Sequence, residues 1–518
     1  MKPALSLAFL LLTPLAALHA ADFKLAAVFS DHMVLQRDKP VPVWGWGDAG
    51  EKVTVEFAGQ KKSATADADG KWMAQLDALS TSAEGHVLSV SSEKPEHKAE
   101  FKDVLVGEVW LGSGQSNMAF LVKNARDADK EMAAADLPLI RGFKEESAGA
   151  KTPQADGKGK WVVCTPESVG TFSAALFFMG REIHRELKVP VGLINSSVGG
   201  TPIELWIAAE AQASVPALKD NVEEQKQAAT PEAAQKAQEL YQRAIASYEK
   251  RAAKARADGQ PVPPKPRDPG DLRQRKTGIG ILFNGKIAPL IPYAIRGAIW
   301  YQGEANSHPP KGILYQHQLP LLVKDWRARW GDDFPFAWAQ LPNYGKTVED
   351  WCLVQEAELK SLKLPHTGMA VTIDVGERDN IHPKNKQEVG RRLSYWALGE
   401  VYGRKVASTC GPLPASHEIR GPEVVVTFKH ADGGLKFKDG ELKGFMLAGE
   451  DKQWKPAAAR IDGDKVVVSS AEVAKPVALR YAWAVWPVCN LYNGAGIPAS
   501  PFRTDDWPVV SEVAVKKR

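Results

Sequence analysis

No block of like charge runs through this chain. Its 66 basic and 62 acidic residues leave a net charge of +4 over 518 residues, and nothing resembles a basic arm. A nucleic-acid role therefore lacks its electrostatic footprint. Cysteine is scarce: Cys164, Cys352, Cys410 and Cys489 are the whole set, and none of their spacings matches a zinc knuckle or a redox Cys-x-x-Cys. In an oxidising compartment four cysteines allow two disulfides in three pairings, or they stay as thiols. No metal-ligand cluster is visible either, so neither a metal nor an organic cofactor is expected. Past the first twenty residues no apolar run is long enough to cross a bilayer, so no membrane span is expected in the mature chain.

The apolar start is of a different kind. Lys2, a short apolar stretch containing Pro14, and Leu18-His19-Ala20 have the pattern of a secretory leader cleaved near Ala20. The expectation is a secreted or periplasmic protein.

At this length several domains are expected. Residues 21–103 hold short alternating runs such as Val53-Thr54-Val55-Glu56-Phe57, separated by Asp/Gly turns, which predicts a small β-sandwich. From 104 to 403 apolar strands at 104–111, 191–195, 295–301, 336–341 and 369–374 alternate with helical stretches at 173–187, 314–330 and 385–402. Buried strands separated by helices predict an α/β domain with a parallel sheet covered on both faces. Its site is then expected at the carboxyl ends of the strands. An insertion at 209–275 opens a long helix with Thr230-Pro231-Glu232, an N-cap followed by proline, and stops it with Gly259 and a Pro-rich tail. Leu240, Ile245 and Tyr248 form a thin apolar stripe on that helix. The insertion reads equally as a wall over the site or as a solvated spacer. Residues 404–518 return to β and predict a second sandwich.

Four stretches fall at predicted strand ends. Gly112-Ser113-Gly114-Gln115-Ser116-Asn117-Met118 lies between a strand and a helix. A serine there has an exposed hydroxyl, and the first N–H groups of the helix have no intrahelical partner. Asn195-Ser196-Ser197-Val198-Gly199-Gly200-Thr201 carries paired glycines that let backbone N–H groups approach a ligand. Trp300-Tyr301-Gln302-Gly303-Glu304-Ala305-Asn306 ends a strand in amides and a carboxylate, suited to an oxyanion or to sugar hydroxyls. Asp379-Asn380-Ile381-His382-Pro383 precedes a helix, and its spacing lets one turn present a carboxylate and an imidazole.

In that order the four blocks resemble the SGNH (GDSL-type) hydrolase superfamily. Gly-Gln-Ser-Asn-Met, Trp-Tyr-Gln-Gly-Glu-Ala-Asn and Asp-Asn-Ile-His-Pro resemble the sialate O-acetylesterase family of carbohydrate esterases more closely. Phe29-Ser30-Asp31-His32-Met33 near the start, and Asn490-Leu491-Tyr492-Asn493 with Pro501-Phe502-Arg503-Thr504 near the end, extend the likeness over nearly the whole mature chain.

The resemblance implies a serine esterase acting on an O-acetylated carbohydrate. Ser116 would be its nucleophile, His382 the general base and Asp379 the partner of His382. The oxyanion donors would be the Ser116 N–H, a glycine N–H at Gly199 or Gly200, and a side-chain amide. For that amide Gln302 is favoured over Asn306, because the superfamily's Gly-x-Asn-Asp block is replaced by Gly303-Glu304-Ala305-Asn306. Gln115, Glu304, Asn306 and Arg378 are the candidate substrate contacts. Acetylated xylan or another plant or algal glycan is the alternative substrate, and a non-catalytic carbohydrate-binding protein is the alternative of another class.

Overall fold

The central sheet is built from seven strands: β1 (Lys98–Gly114), β2 (Ile140–Lys144), β3 (Trp161–Val163), β4 (Val191–Ser197), β5 (Gly297–Tyr301), β6 (Phe336–Ala339) and β7 (Thr367–Ala370). The helices that matter for the site are α1 (Ser116–Ala119), α2 (Ala174–Leu187), α3 (Pro231–Ala257), α4 (Lys311–Trp330), α5 (Trp351–Ser361) and α6 (Lys386–Trp396). These assignments come from a computed structural model that describes residues 23–228, 230–266, 268–269, 278–346, 348 and 350–509. The leader read in residues 1–20 lies outside them, as do positions 229, 267 and 270–275 of the insertion.

The strand order is β3-β2-β4-β1-β5-β6-β7. Every neighbouring pair is parallel except β3 against β2, which is antiparallel. The sheet is therefore mixed, with an antiparallel edge strand that the expectation of a parallel sheet did not include. β2 and β3 are short, and Arg141, Gly142 and Lys144 interrupt the apolar run that marks the other strands. β1 sits at the centre, and the chain builds outward from it on both sides. Such a reversal opens a crevice at the strands' carboxyl ends.

β1 also joins two environments. Its first six residues alternate between exposed and half-buried, while the eleven from Val104 to Gly114 are all buried. The first half pairs antiparallel with strand Ser82–Ser92, and the second pairs with β4 and β5. The boundary placed between 103 and 104 is thus a change of burial inside one strand, with no linker there. The N-terminal β region adds a three-stranded sheet of Lys24–Leu25, Val41–Trp46 and Lys71–Leu76. Its Val43, Trp44 and Trp72 belong to the same apolar core as Val53, Val55 and Val90 opposite.

Glu108 fixes this junction. Its carboxylate is fully buried, and Arg37 and Arg296 hold it at 2.5 and 2.6 Å, with Gln36 Nε2 donating at 3.1 Å. After residue 404 two four-stranded antiparallel sheets close over Val424, Val426, Leu447, Leu479 and Phe502. Arg503 ties that unit to α5 through a two-pronged bond to Glu356, at 3.0 and 3.1 Å.

In the insertion, Thr230 Oγ1 accepts the Ala233 N–H at 3.3 Å and caps α3 as expected. Of the stripe, Leu240 is 56% exposed and Ile245 and Tyr248 are half-buried. Ala252 is the one buried residue of α3. A single apolar row is too narrow to seat the helix, so the spacer reading fits α3 better than the wall. All four cysteines are free thiols, and Cys164 and Cys410 are buried.

Candidate active site

The turn after β1 is made possible by glycine. Gly114 has φ of +135°, and a Cβ there would lie 2.2 Å from Tyr301 O on the neighbouring strand. The chain stays close to β5 for one more residue, because the Gln115 N–H donates to Tyr301 O at 3.0 Å. Then α1 begins. The Met118 and Ala119 N–H groups donate to Gln115 O, which leaves Ser116 at the first helical position, half-buried.

His382 comes from the loop between β7 and α6. Its Nε2 lies 2.8 Å from Ser116 Oγ, across 266 residues of sequence. Burial holds the His382 pKa below that of a free imidazole, and the nearby Lys386 charge pushes the same way. The ring is therefore neutral near pH 7. With its proton on Nδ1, it can take a proton from the serine at Nε2.

Asp379 does not complete this pair in the way its spacing implies. It is exposed, and among the described residues it makes no hydrogen bond or ion pair. The loop is tied by Asn380 instead. Asn380 Oδ1 accepts the His382 N–H at 3.0 Å, while its Nδ2 donates to His382 O at 2.8 Å and to Glu377 Oε2 at 2.9 Å. Those bonds hold the turn with Asp379 toward solvent. Arg378 is likewise exposed, with no side-chain partner among the described residues.

On the other side of Ser116 the two glycines separate. A Cβ on Gly199 would sit 3.5 Å from Ser116 Cβ, so Gly199 abuts the serine. Gly200 has φ of +69° and serves the turn.

The third block is buried more deeply than its sequence implies. Gln302 is fully buried, and its Nε2 has three acceptors: Gln115 Oε1 at 3.1 Å, Thr201 O at 3.2 Å and Asn306 Oδ1 at 2.8 Å. Its Oε1 accepts from the Tyr315 hydroxyl at 2.9 Å. Asn306 is also fully buried; its Nδ2 donates to Glu204 Oε2 at 3.0 Å and its Oδ1 accepts the Ile203 N–H at 3.0 Å. Glu304 is 5% exposed, accepts from Asn117 Nδ2, and has its pKa raised by burial. All three side chains are packed into internal networks. They hold the site from beneath, whereas the sequence placed them against substrate.

Gln115 is the amide that sequence reasoning did not single out as a donor. Its Oε1 accepts from both Gln302 Nε2 and the Ala305 N–H, at 3.1 and 3.2 Å. With its oxygen held, its orientation is fixed, and its Nε2 has no acceptor among the described residues. The one signal for this in the sequence is adjacency to Ser116.

A cavity of about 490 Å³ opens at the carboxyl ends of β2 and β4. Phe143, Phe172 and Leu193 line it, together with Lys144, Lys160 and Asn195. Asn195 is in register with Gly112 of β1, and Ser197 with Gly114, so the cavity lies one strand away from the serine turn. Among the described residues one group offers metal-ligand atoms within 4.8 Å of one another: Asp48, Glu51 and His97. It belongs to the N-terminal β region, and Lys94 already pairs with Asp48 while His97 pairs with Glu51.

Comparison with known proteins bears on the family of the chain. Residues 285–398 match the family described as carbohydrate esterase, sialic acid-specific acetylesterase. A carbohydrate acetylesterase from Xanthomonas citri superposes with a TM-score of 0.78 and is 34% identical, covering 93% of this chain and all of the other. The chain belongs to the sialate O-acetylesterase family of carbohydrate esterases. Sialate O-acetylesterases of rat and human are each 28% identical to this esterase over 93% of its length, and the match covers 94% and 92% of those proteins. The resemblance read from both ends of the sequence is therefore borne out along nearly the whole chain. No helix among the esterase's described residues is long and apolar enough to cross a membrane.

Proposed function

We propose that this esterase is exported and removes acetyl groups from carbohydrate hydroxyls through Ser116 and His382. The observation that carries the reading is the 2.8 Å contact between Ser116 Oγ and His382 Nε2 at the carboxyl end of the central strand. The hydroxyl oxygen of Ser116 attacks the acetyl carbonyl carbon while His382 Nε2 takes the hydroxyl proton. The carbonyl oxygen becomes an oxyanion, held by the N–H groups of Ser116 and Gly199 and by the Gln115 side-chain amide. Collapse breaks the bond from carbon to the sugar oxygen, and His382 returns the proton to that oxygen. Water, deprotonated by His382, then attacks the acetyl-serine; the bond to Ser116 Oγ breaks, His382 returns the proton to that oxygen, and acetate leaves. Asp379 acts, in this reading, as a remote carboxylate on the same turn.

Gln115 takes the role read for Gln302 because only Gln115 has an amide nitrogen left to donate. Gln302 sets the orientation of Gln115 from behind. The cavity beside β2 and β4 is suited to the sugar: its aromatic floor offers a face for a ring, and Lys144 and Lys160 against Glu146 leave its lining net positive. That charge favours an acidic sugar, in keeping with the names of the rat and human relatives. The Xanthomonas citri relative is named only for carbohydrate, which supports the reading with an acetylated neutral glycan.

The test is to incubate the protein with a 9-O-acetylated sialoside and with acetylated xylan, and to measure acetate. Release from either, lost in Ser116→Ala with the fold intact, is the expected result. Turnover by Ser116→Ala close to wild type would sink the nucleophile assignment, and no release from any acetylated glycan would favour the binding-protein reading.

A further inference from the structure

The two backbone carbonyls that flank His382 are both held by side chains tied to the serine turn. Asn117, the residue after Ser116, is fully buried, and its Nδ2 donates to Ile381 O at 3.0 Å. Lys386, in the first turn of α6, is also fully buried, and its Nζ donates to Pro383 O at 2.6 Å. The two grips are joined, because Lys386 Nζ also donates to Asn117 Oδ1 at 2.7 Å. Asn117 Nδ2 completes the chain at Glu304 Oε1. Above the ammonium group stand the rings of Phe120 and Tyr301, with centroids at 4.8 and 5.3 Å.

An ammonium group in such a place is costly unless it is paired and hydrogen-bonded. Burial brings the Lys386 pKa down to about 7, against the opposing pull of Glu304 and Glu377. A methionine would fill the same volume without that cost. The charged lysine is explained by what it holds: one carbonyl beside the histidine and the amide beside the serine.

We propose that Lys386 and Asn117 are positioning residues that set His382 against Ser116, supplying through the backbone the orienting part of what a carboxylate on the imidazole would do directly. The proposal rests on the reading of Ser116 and His382 given above. The charge of Lys386 has a second effect, since it opposes protonation of His382. Ser116 faces the imidazole from α1, and Lys386 faces it from α6. Lys386 itself faces Glu304 and Tyr301 at the end of β5 and Glu377 in the loop before His382, and Glu304 in turn acts on Glu358 of α5.

Three proteins test this: wild type, Lys386→Met, which removes charge and donor, and Lys386→Gln, which keeps a donor. Two quantities are read, the rate at which a fluorophosphonate labels Ser116 and the pH profile of kcat/KM on a soluble acetyl ester. Lys386→Met is expected to slow labelling and kcat by about 10²-fold, the size of a 1 Å misplacement, with little change in KM. Its acid limb is expected to move to higher pH, because the cation that opposed imidazolium formation is gone. Lys386→Gln is expected to recover part of the rate while keeping the displaced limb. Wild-type labelling and an unmoved limb in a folded Lys386→Met would overturn the proposal. If that variant does not fold, an unmoved limb in Lys386→Gln overturns it equally. Wild-type protein that is not labelled at Ser116 would sink the nucleophile reading itself, and this proposal with it.

Discussion

Gln302 Nε2 donates to Gln115 Oε1 at 3.1 Å, and that bond decides which of the two amides can face the acetyl group. Gln302 is enclosed by Thr201, Asn306, Tyr315 and Gln115, so nothing of its amide is left for a ligand. Gln115 is turned by the same bond so that its nitrogen, and not its oxygen, is free.

The two amides therefore fail differently when removed. Gln115→Ala is expected to lower kcat by about 10²–10³, the usual loss for one oxyanion donor, with a smaller loss of stability than Gln302→Ala, since only the Ala305 N–H is left without its acceptor. Gln302→Ala is expected to lose rate and also stability, by about 1–3 kcal/mol for each buried partner left unsatisfied. Activity assays beside thermal melts separate the two. A Gln302→Ala protein that melts as wild type yet loses the full rate would return the donor role to Gln302.

Asp379→Asn is expected to cost about tenfold or less in kcat, because no bond links the carboxylate to His382 in this structure. Ser116→Ala and His382→Ala are expected to abolish turnover. A loss near 10⁴ for Asp379→Asn, the size found where a carboxylate fixes the imidazole tautomer, would show that the turn closes onto His382 in the working enzyme.

The pH dependence follows from the direction of the His382 shift. A general base works when unprotonated, so activity is present above its pKa and is lost as pH falls through it. Burial and Lys386 both lower that pKa. The acid limb of kcat/KM is thus expected below about 6.5, the ordinary imidazole value. A limb at pH 7 or above, in a profile of initial rates, would contradict the assignment of His382 as base.

Glu108→Gln is expected to destabilise the protein by about 3–5 kcal/mol in urea unfolding, since Arg37 and Arg296 would be left without their buried counter-charge. A shift under about 0.5 kcal/mol would mean that the two arginines find solvent instead. The junction between the N-terminal β region and the central sheet is where that loss should be felt.

The sequence determined by itself the strands of the central sheet that carry continuous apolar runs, the Thr230 cap, and the four blocks that meet at the site. Those signals are local: periodicity, a cap, a turn residue. It also foretold that Ser116 and His382 meet, because such strands point their carboxyl ends at one crevice. Only the tertiary structure decided what each polar side chain faces. Gln302, Glu304 and Asn306 read as ligand groups because amides and carboxylates at strand ends serve equally as donors to substrate and as buried struts. The difference lies in neighbours such as Thr201 and Glu204, which are 101 and 102 residues away in sequence. Asp379 sits three residues before His382, yet the bonds of Asn380 turn it to solvent. Asn117 reaches Ile381 O across 264 residues, and Lys386 reaches Asn117 across 269. A hydrogen bond of that span is set by how the sheet brings β1 and α6 together, which no local pattern encodes.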